Sequence, residues 1–325
     1  MKAEPVTPKA LFRKDVQYRV PMFQRPYVWN RKDQWQPLWD DVRRLAEADL
    51  RGDHVAPHFL GAVVVEHEGP EFETIEGWSI IDGQQRLTTL QLMLDATQIV
   101  VAQHGTPRDV KSLANAILNE EEYTSDDPDM KFKVWPTTRD QDAFRTAMDD
   151  ATTVPPALVN APIVEAHTFF ADAARAWIEE DADRQPRATA LTEAILNHLR
   201  LVAIQLDHDD NAQVIFESLN HRGSRLLASD LVKNLVFQRA KAERENLQRL
   251  YDRTWADLDE DYWRTDVRQG RLTRPRIDVF LGYWLVMKLR REVASDRVYA
   301  EFRDLAAGVP KIKPLVEELA SDAKL

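Results

Sequence analysis

Ile80-Ile81-Asp82-Gly83-Gln84-Gln85-Arg86-Leu87-Thr88-Thr89-Leu90 reads as a strand, a tight turn and a helix. Two β-branched residues run into an Asp-Gly turn, and Leu87, Leu90, Leu94 and Val101 then fall on one face at helical spacing. Asp82 suits the helix cap, and Arg86 sits in the first turn. Unpaired backbone N–H groups at a helix start, with a guanidinium beside them, suit a phosphate or another anion. A carboxylate in that place holds a metal ion, orients a water or caps. A plain capped core helix accounts for the same residues.

Three more segments stand out. Phe23-Gln24-Arg25-Pro26-Tyr27-Val28-Trp29 concentrates hydrogen-bonding and aromatic groups beside Pro21 and Pro26, which stiffen the backbone as a recognition edge requires. Phe59-Leu60-Gly61-Ala62-Val63-Val64-Val65 reads as a strand. Phe216-Glu217-Ser218-Leu219-Asn220 leads through Arg222, Gly223 and Leu226 to Asp230-Leu231-Val232-Lys233-Asn234. By chemistry alone the aromatics fit core packing, and Asp230 with Lys233 at i and i+3 fits an intrahelical ion pair.

In this order the four segments resemble the N-terminal half of GmrSD- and SspE-type restriction proteins, a branch of the ParB/sulfiredoxin-like superfamily. The resemblance implies an α+β fold: a small mixed sheet with helices, then a mainly helical region. It implies a nucleotide-binding core over residues 1–125, a mixed helical and strand continuation over 126–240 and a helical extension over 241–325. It also implies that the Asp82–Arg86 turn contacts nucleotide phosphates. Carried over, the catalytic residues are Asp82, Gln84 and Arg86, with Asp82 holding Mg2+ or orienting water. The nucleotide ligands are Gly83, Gln85, Thr88, Asn220 and Lys233. Gln24, Arg25, Tyr27 and Trp29 would recognise DNA or its modification, by stacking or hydrogen bonding. Relatives often carry His where this chain has Gln84 and Gln85. Glutamine positions water but is no general base, so a slow or activated hydrolase is expected.

Composition bounds these expectations. The 325 residues, 44% hydrophobic and 30% charged, suit about two soluble globular domains. No apolar run is long enough for a membrane span, and residues 1–6 hold no secretory h-region. The absence of cysteine excludes disulfides and cysteine-ligated zinc and fits a cytoplasmic setting. A net charge of −11 argues against indiscriminate nucleic-acid binding. Two basic runs soften that objection: residues 1–45 with ten Lys/Arg against five acids, and 264–276 with five Arg against one. Each could equally be a solvated face.

Along the chain, Asn30 is expected to cap a helix with Trp35, Leu38, Trp39, Val42 and Leu45 inward. Residues 209–219 should be helical, Ser229 should cap the next helix, and the rest should be almost purely helical. His54 and His58 lie near Pro57 and make no convincing metal pair, and there is no Walker-type phosphate loop. No His-Asn-His nuclease segment appears, so the nuclease is expected C-terminal to this segment or on another subunit. The helix-like ending at Ala323-Lys324-Leu325 slightly favours a longer chain.

The expected function is the sensor and NTPase part of a modification-dependent antiphage system. It would couple recognition of phosphorothioate or glucosylated double-stranded DNA to hydrolysis of GTP or another NTP, with Mg2+, and to activation of an HNH-type nuclease. The Pro136-Thr137 strand end leans toward the phosphorothioate-sensing type. Self-association is left open. Two alternatives are a ParB-like nickase built on Asp82 and a nucleotide-operated DNA-binding module without turnover.

Overall fold

A computed structural model of the chain describes residues 2–68, 75–120, 127–149, 153–206, 227–269 and 272–324. The chain forms two compact units, Met1–Pro21 with Pro26–Ala212, and Met22–Arg25 with Gln213–Leu325. The expected helix at 209–219 and the residues Asn220, Arg222 and Gly223 lie outside the described residues.

The first unit runs β1 (Lys2–Val6), α1 (Pro8–Leu11), β2 (Val16–Arg19), α2 (Gln36–Leu50), β3 (His58–His67), β4 (Glu76–Asp82), α3 (Gln84–His104), α4 (Pro107–Ile117), β5 (Val134–Trp135), α5 (Gln141–Ala147), α6 (Pro162–Glu179), α7 (Arg184–Glu193) and β6 (Leu199–Leu206). Its strands form one six-stranded mixed sheet in the order β1-β6-β3-β4-β2-β5. β3 runs parallel to β6 and antiparallel to β4, while β2 is parallel to both β4 and β5. The sheet therefore draws on residues 2 to 206, on both sides of residue 125.

Asn30 caps the approach to α2 as expected: its side chain accepts from Asp33 N at 3.0 Å, over a π-helical turn that continues into the helix. Gly105 closes α3 as its C-cap residue. The expected one-sided character of α3 does not hold. Gln85 and every residue from Leu87 to Thr97 are buried. A helix can be buried all round only if its polar positions find partners. Here Gln91 donates to Ala116 O at 3.0 Å, Thr89 to Gln85 O at 2.7 Å, and Asp95 pairs with His167 of α6 at 2.8 Å.

The second unit begins with α8 (Ala228–Ala242), α9 (Leu247–Thr254) and α10 (Asp261–Arg264). A hairpin of β7 (Asp266–Gln269) and β8 (Leu272–Pro275) follows, then α11 (Arg276–Leu289), α12 (Val298–Ala307) and α13 (Ile312–Asp322). The hairpin corrects the almost purely helical expectation. Val267 sits opposite Arg274, and the alternation that pairs them is too short to stand out from sequence. Ser229 is not the cap of α8 either. Leu227 holds that position, and buried Asp278 of α11 accepts from Ala228 N at 3.2 Å and Ser229 N at 3.0 Å. A cap delivered from 50 residues away leaves no local signature.

Lys133, 1% exposed, braces the start of β2. Its Nζ donates to Lys14 O at 2.9 Å and Asn119 Oδ1 at 3.0 Å, while Asn119 bonds Val16 through both N–H and C=O. Burial pulls the Lys133 ammonium down to about 8, against the opposing pull of Asp15 and Glu120. In the unfolded chain the same group titrates near 10.5. Between those values the unfolded state binds more protons, so this group adds stability as pH rises from about 8 toward 10.5. Urea unfolding from pH 7 to 9.5 should show that increment in the parent chain and not in Lys133→Met.

Candidate functional site

The site is built where α3 starts against β3. Gly83 holds φ +95°, a left-handed conformation that Cβ-bearing residues avoid. Space demands glycine as well, since a Cβ there would come 2.7 Å from Val63 Cγ1 and 3.2 Å from Ala62 O. Gly83, not Asp82, is thus the N-cap residue, and no side chain caps this helix. Asp82 ends β4 and places Oδ2 3.9 Å from Arg86 Nη1.

Arg86 lies flat against a bulge in β3 between Phe59 and Ala62. Gly61 there has φ +98°, and a Cβ on it would sit 3.3 Å from Arg86 Nε. Arg86 Nη1 donates to Ala62 O at 2.7 Å. The guanidinium is oriented by a main-chain acceptor and a carboxylate, and it remains partly exposed. It lines a pocket of about 210 Å³ with Trp29, Asp41, His58, Phe59 and Leu90 among its walls. Asp41 Oδ2 and His58 Nε2 approach to 3.4 Å within this lining, and Phe59 is 59% exposed. Arg86 thus shares this pocket with two aromatic rings, while Gly83, Gln84 and Gln85 at the start of α3 lie outside its lining.

Gln85 does something the sequence does not announce. Its Oε1 accepts from Val28 N at 2.9 Å and its Nε2 donates to Pro26 O at 3.0 Å, as a neighbouring strand would. One turn on, Thr89 Oγ1 meets the Tyr27 hydroxyl at 2.7 Å, and Trp35 Nε1 donates to the same hydroxyl at 2.9 Å. Burial drives the Tyr27 phenol well above its ordinary value, with Asp140 adding to the shift. These bonds hold the Pro26–Trp29 segment on α3 and bring Trp29 to the pocket beside Arg86.

The other expected residues are placed as follows. Gln84 is the half-buried first residue of α3, and Thr88 is buried one turn later. Gln24 and Arg25 belong to the second unit, while Tyr27 and Trp29 belong to the first. Lys233 is 1% exposed in the second unit, paired with Asp259, which also accepts from Arg264 and from the Tyr251 hydroxyl at 2.8 Å. Asp230 pairs with Arg264 at 2.8 Å. The i, i+3 pair expected of Asp230 and Lys233 is therefore replaced by two longer-range partners. Burial works against the charge of Asp259, but Lys233 and Arg264 prevail and hold its carboxyl below the usual range. Among the described residues no three His, Cys, Asp or Glu side chains form a metal-holding group.

Sequence reasoning missed Gly61, Ala62, Asp41, His58 and Phe59 as parts of the site. A lone glycine inside a strand pattern is a signal for a bulge or a close approach, and it pointed to Gly61. Asp41 and His58 carry no comparable signal, because their meeting depends on how α2 packs along β3.

The fold is α+β, with an arginine-bearing turn where α3 starts. The family described as GmrSD restriction endonuclease, N-terminal domain, matches residues 9–237, and the chain belongs to it. It is accordingly a restriction-system protein. No curated protein matches the chain. Among the described residues no helix is long and apolar enough to cross a membrane.

Gln85→Ala should leave the part-buried Val28 N–H and Pro26 C=O to water, at about 0.5–1.5 kcal/mol for each lost bond. Urea denaturation should show a loss of about 1–3 kcal/mol, against about 0.5 kcal/mol or less for Gln84→Ala. Equal losses would mean that the clamp does not hold the segment.

Proposed function

We propose that the chain is the sensing and nucleotide-hydrolysing part of a modification-dependent restriction system. In this reading an NTP binds with its phosphates at the start of α3, and modified double-stranded DNA governs its hydrolysis and the release of a nuclease. The observation that carries the reading is the placement of Arg86, fixed by Ala62 O and Asp82 at the edge of a pocket walled by Trp29 and Phe59. A guanidinium so held needs little reorganisation to meet a phosphate, and the first-turn N–H groups add donors.

Phosphoryl transfer asks the protein mainly for positioning and charge stabilisation. Arg86 would stabilise charge on the transferring group, and Gln84, at the first helical position, would orient the attacking water. Neither glutamine accepts a proton at neutral pH, which fits slow turnover that DNA accelerates. The donor set fits Mg2+ in one manner only. Asp82 is the single carboxylate of the turn, and Mg2+ is commonly held by one or two carboxylates together with substrate phosphates and water. When bound, Mg2+ would offset the phosphate charge.

Phosphate release from GTP and ATP, with Mg2+ and with unmodified, phosphorothioate or glucosylated duplex DNA, tests this reading. Release should rise with one modified DNA and fall about 100-fold or more in Arg86→Ala, the scale of losing a preorganised charge-stabilising donor. NTP binding without release would leave a nucleotide-operated binding module. Nicking of DNA with no nucleotide present would point to a direct nuclease.

A further inference from the structure

We propose that His58, oriented by Asp41, takes the proton of the attacking water in the pocket beside Arg86. This rests on the reading that the chain hydrolyses an NTP there. That reading leaves the water's proton without a taker, since Gln84 and Gln85 accept none at neutral pH.

His58 opens β3, where pairing with Leu199 of β6 fixes its backbone. It lines the pocket together with Arg86, Trp29 and Phe59. Its Nε2 lies 3.4 Å from Asp41 Oδ2, and the other oxygen, Asp41 Oδ1, accepts from Arg44 Nη2 at 2.9 Å. The carboxylate is thus held by its own helix on one side and faces the imidazole on the other. With a carboxylate toward Nε2, that nitrogen carries the hydrogen, and Nδ1 keeps the lone pair that can take a proton. Side-chain exposures of 28% for His58 and 32% for Asp41 leave room for water to reach the pair.

A histidine beside a carboxylate assigns nothing by itself in this unit. His104 meets Glu179, His167 meets Asp95 and His198 meets Asp49. Among the described histidines, His58 alone lines the pocket that holds Arg86. The charged groups around it are Asp41 and Arg44 of α2, Arg86 of α3 and, beside its strand partner, Arg200 of β6. The Arg200 guanidinium is taken up by Asn197 O and Leu199 O. In the step itself, the water oxygen bonds to the terminal phosphorus as the bond from that phosphorus to the bridging oxygen breaks. The nucleoside diphosphate leaves with that electron pair, one water proton passes to His58 Nδ1, and His58 returns it to solvent.

The test is phosphate release from GTP or ATP, whichever the parent turns over, by the full chain with Mg2+ and duplex DNA across about pH 5–8, the span in which histidine changes charge. His58→Gln keeps a hydrogen-bonding side chain that accepts no proton. It should lower kcat about 100-fold at the alkaline end with KM unchanged, the scale of a lost general base. The parent-to-variant ratio should shrink toward 1 at the acid end, and taking the ratio cancels the titration of the triphosphate itself. A purely structural pair would not make that ratio grow with pH. Asp41→Asn should lower kcat about 10-fold or more, because an amide no longer fixes the tautomer. A fluorescently labelled form of the same nucleotide should bind both variants as it binds the parent, which also shows that they fold. A parent-like kcat in His58→Gln, or a ratio that does not grow with pH, overturns the role of His58 and leaves hydrolysis standing. Loss of nucleotide binding in His58→Gln also overturns it, since His58 would then hold the ligand or the fold. No phosphate release by the parent from either triphosphate sinks the hydrolase reading and the proposal with it.

Discussion

The carbonyl of Ala62 is the point on which the candidate site depends. Arg86 donates to it, and the left-handed turn at Gly83 passes so close that a Cβ would sit 3.2 Å away. The bulge that turns this carbonyl toward α3 carries its own left-handed glycine, Gly61. Replace Gly83 and the helix start must back away from Val63, whereas a side chain at Gly61 would press on the Arg86 guanidinium itself. The position is stiff because α3 is buried on all sides from Leu87 to Thr97 and has no room to slide. Arg86 thus inherits its geometry from the hydrophobic core, although it stands at the surface.

Polar side chains inside that core do a second job. Gln85, Thr89, Gln91 and Asp95 would each be costly if buried without partners; Gln85 and Thr89 bond the Pro26–Val28 segment, Gln91 donates to Ala116 O of α4, and Asp95 pairs with His167 of α6. Such bonds specify which loop or helix packs where, since an apolar helix of the same volume would accept several neighbours. The second unit uses charge in the same way. Lys233, Asp259, Arg264 and Asp230 form a largely buried network. Breaking one member would strand the others, at about 3–5 kcal/mol for a buried pair. Arg264 belongs to α10, immediately before the hairpin, so the network fixes where the ribbon begins.

Much of this was legible in the sequence where local rules govern. The Ile80–Leu90 pattern gave the strand, turn and helix, and Asn30 the cap on the approach to α2. The four motif segments gave the family. What local rules could not give were contacts closed over long separations. Asp82 satisfies every sequence preference for a cap, yet the close approach to Val63 demands glycine one residue later. Gln85 looks like a phosphate ligand by its place in the motif, and only the loop from Pro26 reveals its amide as a backbone clamp. Asp278 caps α8 from 50 residues away, and Lys233 finds Asp259 instead of its helical neighbour. The Asp82–Arg86 turn was readable as a candidate; the pocket beside it was not, since Asp41, His58 and Phe59 come from two separate elements.

Arg86 owes its orientation to groups that the fold fixes, the Ala62 carbonyl and the Asp82 carboxylate, while its side chain stays partly exposed beside Trp29 and Phe59. A guanidinium held in this way loses little freedom when it meets a second acceptor, because its rotamer is already set by the first. The arginine of the second unit's network is the opposite case: Arg264 is spent on Asp230 and Asp259 and serves the packing of its own unit. The same side chain is thus a structural tie in one unit and a partly exposed, pre-set donor in the other, and the difference comes from what surrounds each one and not from the residue type.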